Sequence, residues 1–215
     1  MCGIVGFTGN PKDKEQIIRA MADAIAHRGP DGEGYFCDDG VALGHRRLSI
    51  IDLEGGAQPL FNEDGSLALV FNGEIYNFME LREELLAKGH TFTTRSDSEV
   101  LLHGFEEWGT ALPEKLRGMF AFVIWNKNTK ELFAARDPFG IKPFYYDARE
   151  GRLLFASEIK AFLHNPDFKK EFNESQLTLY LSCQYSPGED TFFTGVKKLL
   201  AGHRLLWKDG ELTVE

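Results

Sequence analysis

The chain has 215 residues, 43% of them hydrophobic, and a formal net charge of −9. That length suits one large domain or two small ones with a sizeable core, and the acidic balance leaves no basic stripe to neutralise phosphates, which argues against nucleic acid as a partner. No signal-like segment or long apolar run points to secretion or a membrane span, and three scattered cysteines without a CxxC pair suggest neither a disulfide framework nor a zinc site, which fits a reduced, cytoplasmic protein.

Met1-Cys2-Gly3-Ile4-Val5-Gly6-Phe7 opens the chain. If Met1 is removed, Cys2 carries both a thiol, which ordinarily titrates near about 8.5, and a free α-amine, which does so at about 7.7–8.0. A thiol near neutral pH is only a few per cent thiolate, and a terminal amine can serve as its base, directly or through one water. On position alone, a cysteine here is usually just the start of a strand. Strand-like runs follow at 3–8, 41–45, 67–71, 120–126, 131–136, 144–147 and 153–156. Apolar spacing near 3.6 predicts helices at 14–26, 78–88, 98–108 and 174–182, with Gly89 placed as a C-cap and Asp97 as an N-cap candidate. Lys127 to Lys130 and Lys208-Asp209-Gly210 read as hairpin turns, and residues 163–173 are the most linker-like stretch. Many strands with helices grouped between them give an α+β fold of stacked sheets covered by helices.

Several loops carry chemistry-bearing residues. His27-Arg28-Gly29-Pro30-Asp31-Gly32-Glu33-Gly34 is dense in turn formers and reads as a surface loop. In Gly44-His45-Arg46-Arg47-Leu48-Ser49-Ile50-Ile51-Asp52, consecutive arginines on a strand point to opposite faces. One can enter a pocket, where a guanidinium fork suits a carboxylate, or it can pair with a local acid such as Asp52. Asn72-Gly73 is a common hairpin dipeptide, but an Asn amide beside a Gly N–H also offers two donors to one oxyanion. Asp97, in Arg95-Ser96-Asp97-Ser98-Glu99-Val100, can cap a helix or bind a cationic amine. Arg136-Asp137-Pro138-Phe139-Gly140-Ile141-Lys142-Pro143 reads as a structured loop. No GxGxxG or GxxxxGK[ST] loop is present to cradle a nucleotide.

Taken in order, these motifs, with Gly118-Met119-Phe120-Ala121-Phe122 and the segments around Tyr180-Leu181, Gln184-Tyr185-Ser186-Pro187 and Gly195-Val196-Lys197-Lys198-Leu199, resemble the glutaminase domain of a class II glutamine amidotransferase. Within that class of N-terminal-nucleophile hydrolases the likeness is greatest to glutamine-hydrolysing asparagine synthetases, and it covers essentially the whole chain. The resemblance implies a four-layer αββα sandwich, with Cys2 as nucleophile and Asn72 and Gly73 as oxyanion donors. It further implies Arg47 on the glutamine α-carboxylate, with Glu74 and Asp97 on its amino-acid end. Residues 1–215 are expected to form one glutaminase domain, with about 174–215 an extension leading toward a C-terminal synthetase domain. The Ser-Gly-Gly-x-Asp-Ser type motif of that second domain does not occur in these residues. Hence no cofactor is expected here, and ATP and magnesium are expected for the synthetase domain in cis. Glutamine is the expected small-molecule substrate, and a homodimer is left open. Three alternatives stand beside this reading: a related amidotransferase with a sugar or other metabolite as acceptor, another N-terminal-nucleophile acylase or peptidase, and a non-catalytic interaction domain.

Overall fold

The computed structural model describes residues 1–49 and 56–215. In chain order these form β1 (Gly3–Thr8), α1 (Lys14–Asp23), β2 (Gly32–Asp38), β3 (Val41–Arg47), β4 (Leu60–Phe61), β5 (Leu67–Ile75), α2 (Phe78–Ala87) and α3 (Glu99–Trp108). They continue with β6 (Gly118–Asn126), β7 (Glu131–Arg136), β8 (Tyr145–Arg149), β9 (Arg152–Ala156), α4 (Ser175–Cys183), β10 (Val196–Lys198), β11 (Arg204–Lys208) and β12 (Glu211–Val214). Short 3₁₀ turns occupy Ala26–Arg28, Gly109–Lys115 and Ile159–His164.

Two six-stranded sheets result, ordered β10-β8-β9-β1-β3-β2 and β12-β11-β7-β6-β5-β4. Their period-two side-chain alternation sorts each strand between two cores. From β5, β6 and β7, Ala68, Val70, Ala121, Val123, Trp125, Leu132 and Ala134 face the first sheet. The intervening Leu69, Phe71, Phe120, Phe122, Ile124 and Phe133 face outward onto α2 and α3, where Leu81, Leu85 and Leu101 receive them. On the far side, Val5 and Phe7 of β1 pack under Ile18, Met21 and Ala22 of α1. The layers are therefore helix, sheet, sheet, helix: an α+β sandwich of antiparallel sheets.

The differences from the sequence reading are local. Strand β2 lies partly inside the stretch read as a surface loop. Glycines 32 and 34 obscure its alternation, and a Cβ on Gly34 would sit 1.9 Å from the Gln58 carbonyl oxygen. Asn72-Gly73 is not a turn: both residues pair inside β5, opposite Ala121 and Phe120. The first helix stops at Asp23 and re-forms as the 3₁₀ turn Ala26–Arg28 rather than continuing to residue 26. The N-cap of α3 is Ser98, and the Asp97 side chain bonds elsewhere. Beyond residue 174, α4 is largely exposed, whereas β10 closes one edge of the first sheet and β11–β12 close an edge of the second. Asp52, named as a local salt-bridge partner for one of the two consecutive arginines, lies outside the described residues.

Candidate active site

Cys2 stands immediately before β1, and β1 and β3 pair with Gly3 opposite Arg46. This register puts Arg47 at the end of the neighbouring strand. Arg46 points away, to Asp23 and to Glu33 2.5 Å distant, while Arg47 lines the pocket beside Cys2. The expected division of labour between the two arginines is observed. The thiol is fixed against the backbone of Leu48, whose N–H lies 3.4 Å from Sγ. From below, Arg28 donates to the Cys2 carbonyl at 3.0 Å and pairs with Glu158 at 3.0 Å. The turn-rich 27–34 segment is thus a support: Asp31 N–H also donates to the Arg47 carbonyl, and the Asp31 carboxylate accepts from Ser49. Gly29 lies so close to the Arg46–Arg47 peptide that a Cβ would come within 2.3 Å of it.

The facing sheet contributes Asn72, Gly73 and Glu74 from β5. Phe120 uses both its N–H and its carbonyl on Asp137, on the side away from β5. Gly73 and Phe120 therefore form a non-bonded pair of the antiparallel ladder, and the Gly73 N–H points from the opposite edge of β5. Two neighbouring amides on that edge are occupied: Phe71 N–H donates to Gln58 Oε1 at 2.6 Å and Ile75 N–H to Asp97 Oδ2 at 2.8 Å. Strand β4 reaches only Leu69 and Ala68. The Gly73 N–H is left between them, facing the pocket. Beside it, the Asn72 side-chain amide is buried and its Nδ2 has no hydrogen-bond partner. Buried donors are seldom left unpaired, so two adjacent unused donors on one pocket wall constitute a preformed anion cradle.

One pocket is lined by Cys2, Arg47, Asn72, Gly73, Glu74 and Asp97 together. All six residues singled out in the sequence are brought to it. Asp97 is buried, and burial pushes its carboxyl above the ordinary aspartate value, with nearby Glu74 adding to the rise and the Ile75 bond opposing it. A cationic ligand group would relieve that cost.

Three further lining residues were not singled out. His45 bridges the two sheets through Nε2 and the Phe71 carbonyl, 3.0 Å away, so Nε2 carries the proton. Burial drives its pKa down to about 4, against that bond, and its Nδ1 is unpartnered. Gln58 tethers β5. Lys142 is buried in the pocket wall with Nζ 3.4 Å from Met1 Sδ; burial lowers its pKa, opposed by the nearby Cys2 and Glu74. It arrives there because Asp137, fully buried, accepts from the amides of Phe139, Ile141 and Lys142 and shapes the loop. Loops of this kind have no periodicity, so nothing in the sequence pattern marks Lys142.

A cysteine at position 2 heads one sheet and faces the Asn72 and Gly73 donors of the other across an αββα sandwich, the layered arrangement expected of an N-terminal-nucleophile hydrolase. The chain belongs to the glutamine amidotransferase domain family, whose pattern matches residues 1–215. It is 48% identical over 219 residues to asparagine synthetase [glutamine-hydrolyzing] 1 of Bacillus subtilis, covering 99% of this chain and 34% of that protein. It is 37% identical over 229 residues to amidase chry2 of Gibberella zeae, covering 98% of this chain and 33% of that one. The chain thus spans about a third of the length of these curated relatives. In fold it is similar to glutamine phosphoribosylpyrophosphate amidotransferase from B. subtilis (TM-score 0.71, 23% identity, 100% of this chain and 49% of that one).

Proposed function

We propose that this chain hydrolyses glutamine to glutamate and ammonia through a thioester on Cys2, once Met1 is removed, and that it serves the glutamine-using half of an asparagine synthetase. The observation that carries the reading is the buried, unpartnered Asn72 amide beside the Gly73 N–H in the Cys2 pocket. Arg47 binds the substrate α-carboxylate, and Asp97 with Glu74 receives its ammonium. The Cys2 thiolate attacks the side-chain carbonyl carbon and the oxyanion rests on Asn72 Nδ2 and Gly73 N–H. The α-amine of Cys2, having taken the thiol proton, passes it to the departing ammonia. Water then attacks the thioester, with the amine as base, releasing glutamate and restoring the thiol. These steps call for no cofactor. In the longer protein the ammonia would meet an aspartate activated by ATP and magnesium in a following domain. Three free cysteines suit a reducing compartment, and we assign the protein to the cytoplasm.

A different acceptor is the second reading, favoured by the relative named as an amidase. The test is glutamine-dependent release of glutamate and ammonia by the purified chain, beside Cys2→Ala, with intact mass recorded on each sample. Activity in the Met1-free chain alone, absent from the variant, supports the reading. Inactivity despite loss of Met1 removes autonomous glutaminase action, and an acceptor screen on the longer protein separates aspartate from other acceptors.

A further inference from the structure

On the face of the molecule formed by α2 and α3, two imidazoles and four carboxylates converge. His103 is buried on α3, and its Nδ1 lies 3.7 Å from Glu63 Oε2 and 3.0 Å from Glu106 Oε2. His90, just beyond α2, places its own Nδ1 3.6 Å from the same Glu106 oxygen. One ligand atom each from Glu63, His90 and His103 falls within a sphere where all lie within 4.8 Å of one another. In a tetrahedral zinc site with bonds of about 2.0–2.1 Å, ligand atoms stand roughly 3.3–3.4 Å apart. The observed spacings bracket that value.

The outer nitrogens turn toward carboxylates beyond hydrogen-bond length. His103 Nε2, buried without a hydrogen-bond partner, stands 3.6 Å from Glu99 Oε1, and His90 Nε2 stands 3.6 Å from Glu107 Oε2. Glu99 is buried and fixed by the amides of Thr93 and Thr94, at 2.7 Å each, and by their hydroxyls. The second Glu106 oxygen is held by Asn62 at 2.7 Å. Metal-bound histidines characteristically turn their other nitrogen to a carboxylate, which fixes tautomer and ring angle. Lys88 pairs with Glu107, and the remaining carboxylates exceed the cationic charge two imidazoles can supply.

We propose that Glu63, His90 and His103, with Glu106 available as a fourth ligand, bind a divalent transition-metal ion of the zinc type. Two imidazoles with carboxylate oxygens suit Zn²⁺, Co²⁺ or Ni²⁺ over Mg²⁺ or Ca²⁺. The ion ties the turn after β4, the loop after α2 and helix α3 together, so its role is structural. The cysteine pattern gave no hint of it because no cysteine takes part. It stands apart from the Cys2 pocket, and does not depend on glutaminase action.

The test titrates chelator-treated protein with Zn²⁺ and Mg²⁺ by calorimetry and thermal unfolding, and with Co²⁺ by visible absorption. Expected are one Zn²⁺ per chain, a Tm rise of roughly 5–10 °C at 100-fold excess over Kd, and a tetrahedral Co²⁺ spectrum without thiolate charge transfer. His103→Gln and His90→Gln, the latter at a partly buried position outside the core, should each weaken Zn²⁺ at least about 10-fold. Cys2→Ala should bind as the parent does. No stoichiometric Zn²⁺ uptake, or uptake unchanged in His90→Gln but lost in Cys2→Ala, would overturn the site and leave an ion-paired histidine cluster.

Discussion

Asp97 and Lys142 show how burial sets chemistry one side chain at a time. The Asp97 carboxylate is costly to ionise where it stands, and its folded-state value is raised. The sign follows: this group favours the fold when protonated, and that contribution fades as pH rises through the raised value. Asp97→Asn keeps an oxygen to accept from Ile75 and removes the charge. The variant should match or exceed the parent in Tm while KM for glutamine rises by roughly 100-fold or more, the worth of an unpaired buried ion at about 3 kcal/mol. Parallel thermal melts and steady-state kinetics check this, and an unchanged KM would remove Asp97 from the ammonium site. Lys142 places a buried cation in the wall that holds Cys2. Lys142→Met should slow iodoacetamide inactivation of Met1-free protein at a fixed pH, because a cation beside the thiol favours attack by its sulfur. An unchanged rate would mean the ammonium only fills space.

At the scale of elements, β5 is the component that makes the site. Its outward edge presents three amides in succession, two bound by Gln58 and Asp97 and the middle one turned to the pocket. Gly73 is required there by proximity rather than by an unusual backbone angle, since a Cβ would meet the Met119 carbonyl oxygen at 2.3 Å and the Phe120 Cα at 2.8 Å. These two obstacles are backbone, and the Phe71 ring adds a third at 2.6 Å, so β5 and β6 must separate to admit a methyl. Gly73→Ala should cost about 1–3 kcal/mol of stability and lower kcat by about 10²–10³, measured by urea unfolding and glutamate release. Lost stability with intact kcat would deny the N–H its part in the oxyanion cradle. The sequence reading offered a turn and a donor pair as rival accounts of Asn72-Gly73. Only the pairing with β6 chooses between them, because local dipeptide preference is a weak force beside nine residues of strand register.

Over the whole molecule, the two sheets must hold their spacing for Cys2 to face β5, and His45 is the buried polar stitch between them. Its pKa falls from 6.5 in the unfolded chain to about 4 in the fold. Between those values the unfolded chain binds the extra proton, so His45 stabilises the fold above about pH 6.5 and loses that contribution as pH falls toward 4, about 3 kcal/mol in all. His45→Gln retains a donor for the Phe71 carbonyl and should flatten that part of the profile. Urea unfolding at pH 7 and pH 4.5 measures it, and parallel losses in parent and variant would assign acid sensitivity elsewhere. Among the described residues no helix is long and apolar enough to cross a membrane.

The amino-acid order alone determined the layered α+β class, because period-two and 3.6-residue spacing are local consequences of which side chains must leave water. It also marked Cys2, Arg47, Asn72, Gly73, Glu74 and Asp97, since motif order and residue chemistry survive without coordinates. What only the tertiary structure decided arises between segments far apart in the chain. The Arg28 brace under Cys2, the His45 stitch, the approach of Lys142 and the meeting of Glu63 with His90 and His103 all depend on sheet register and helix packing. Long-range packing leaves no periodic trace in the sequence, so those contacts become visible only when the sheets are stacked.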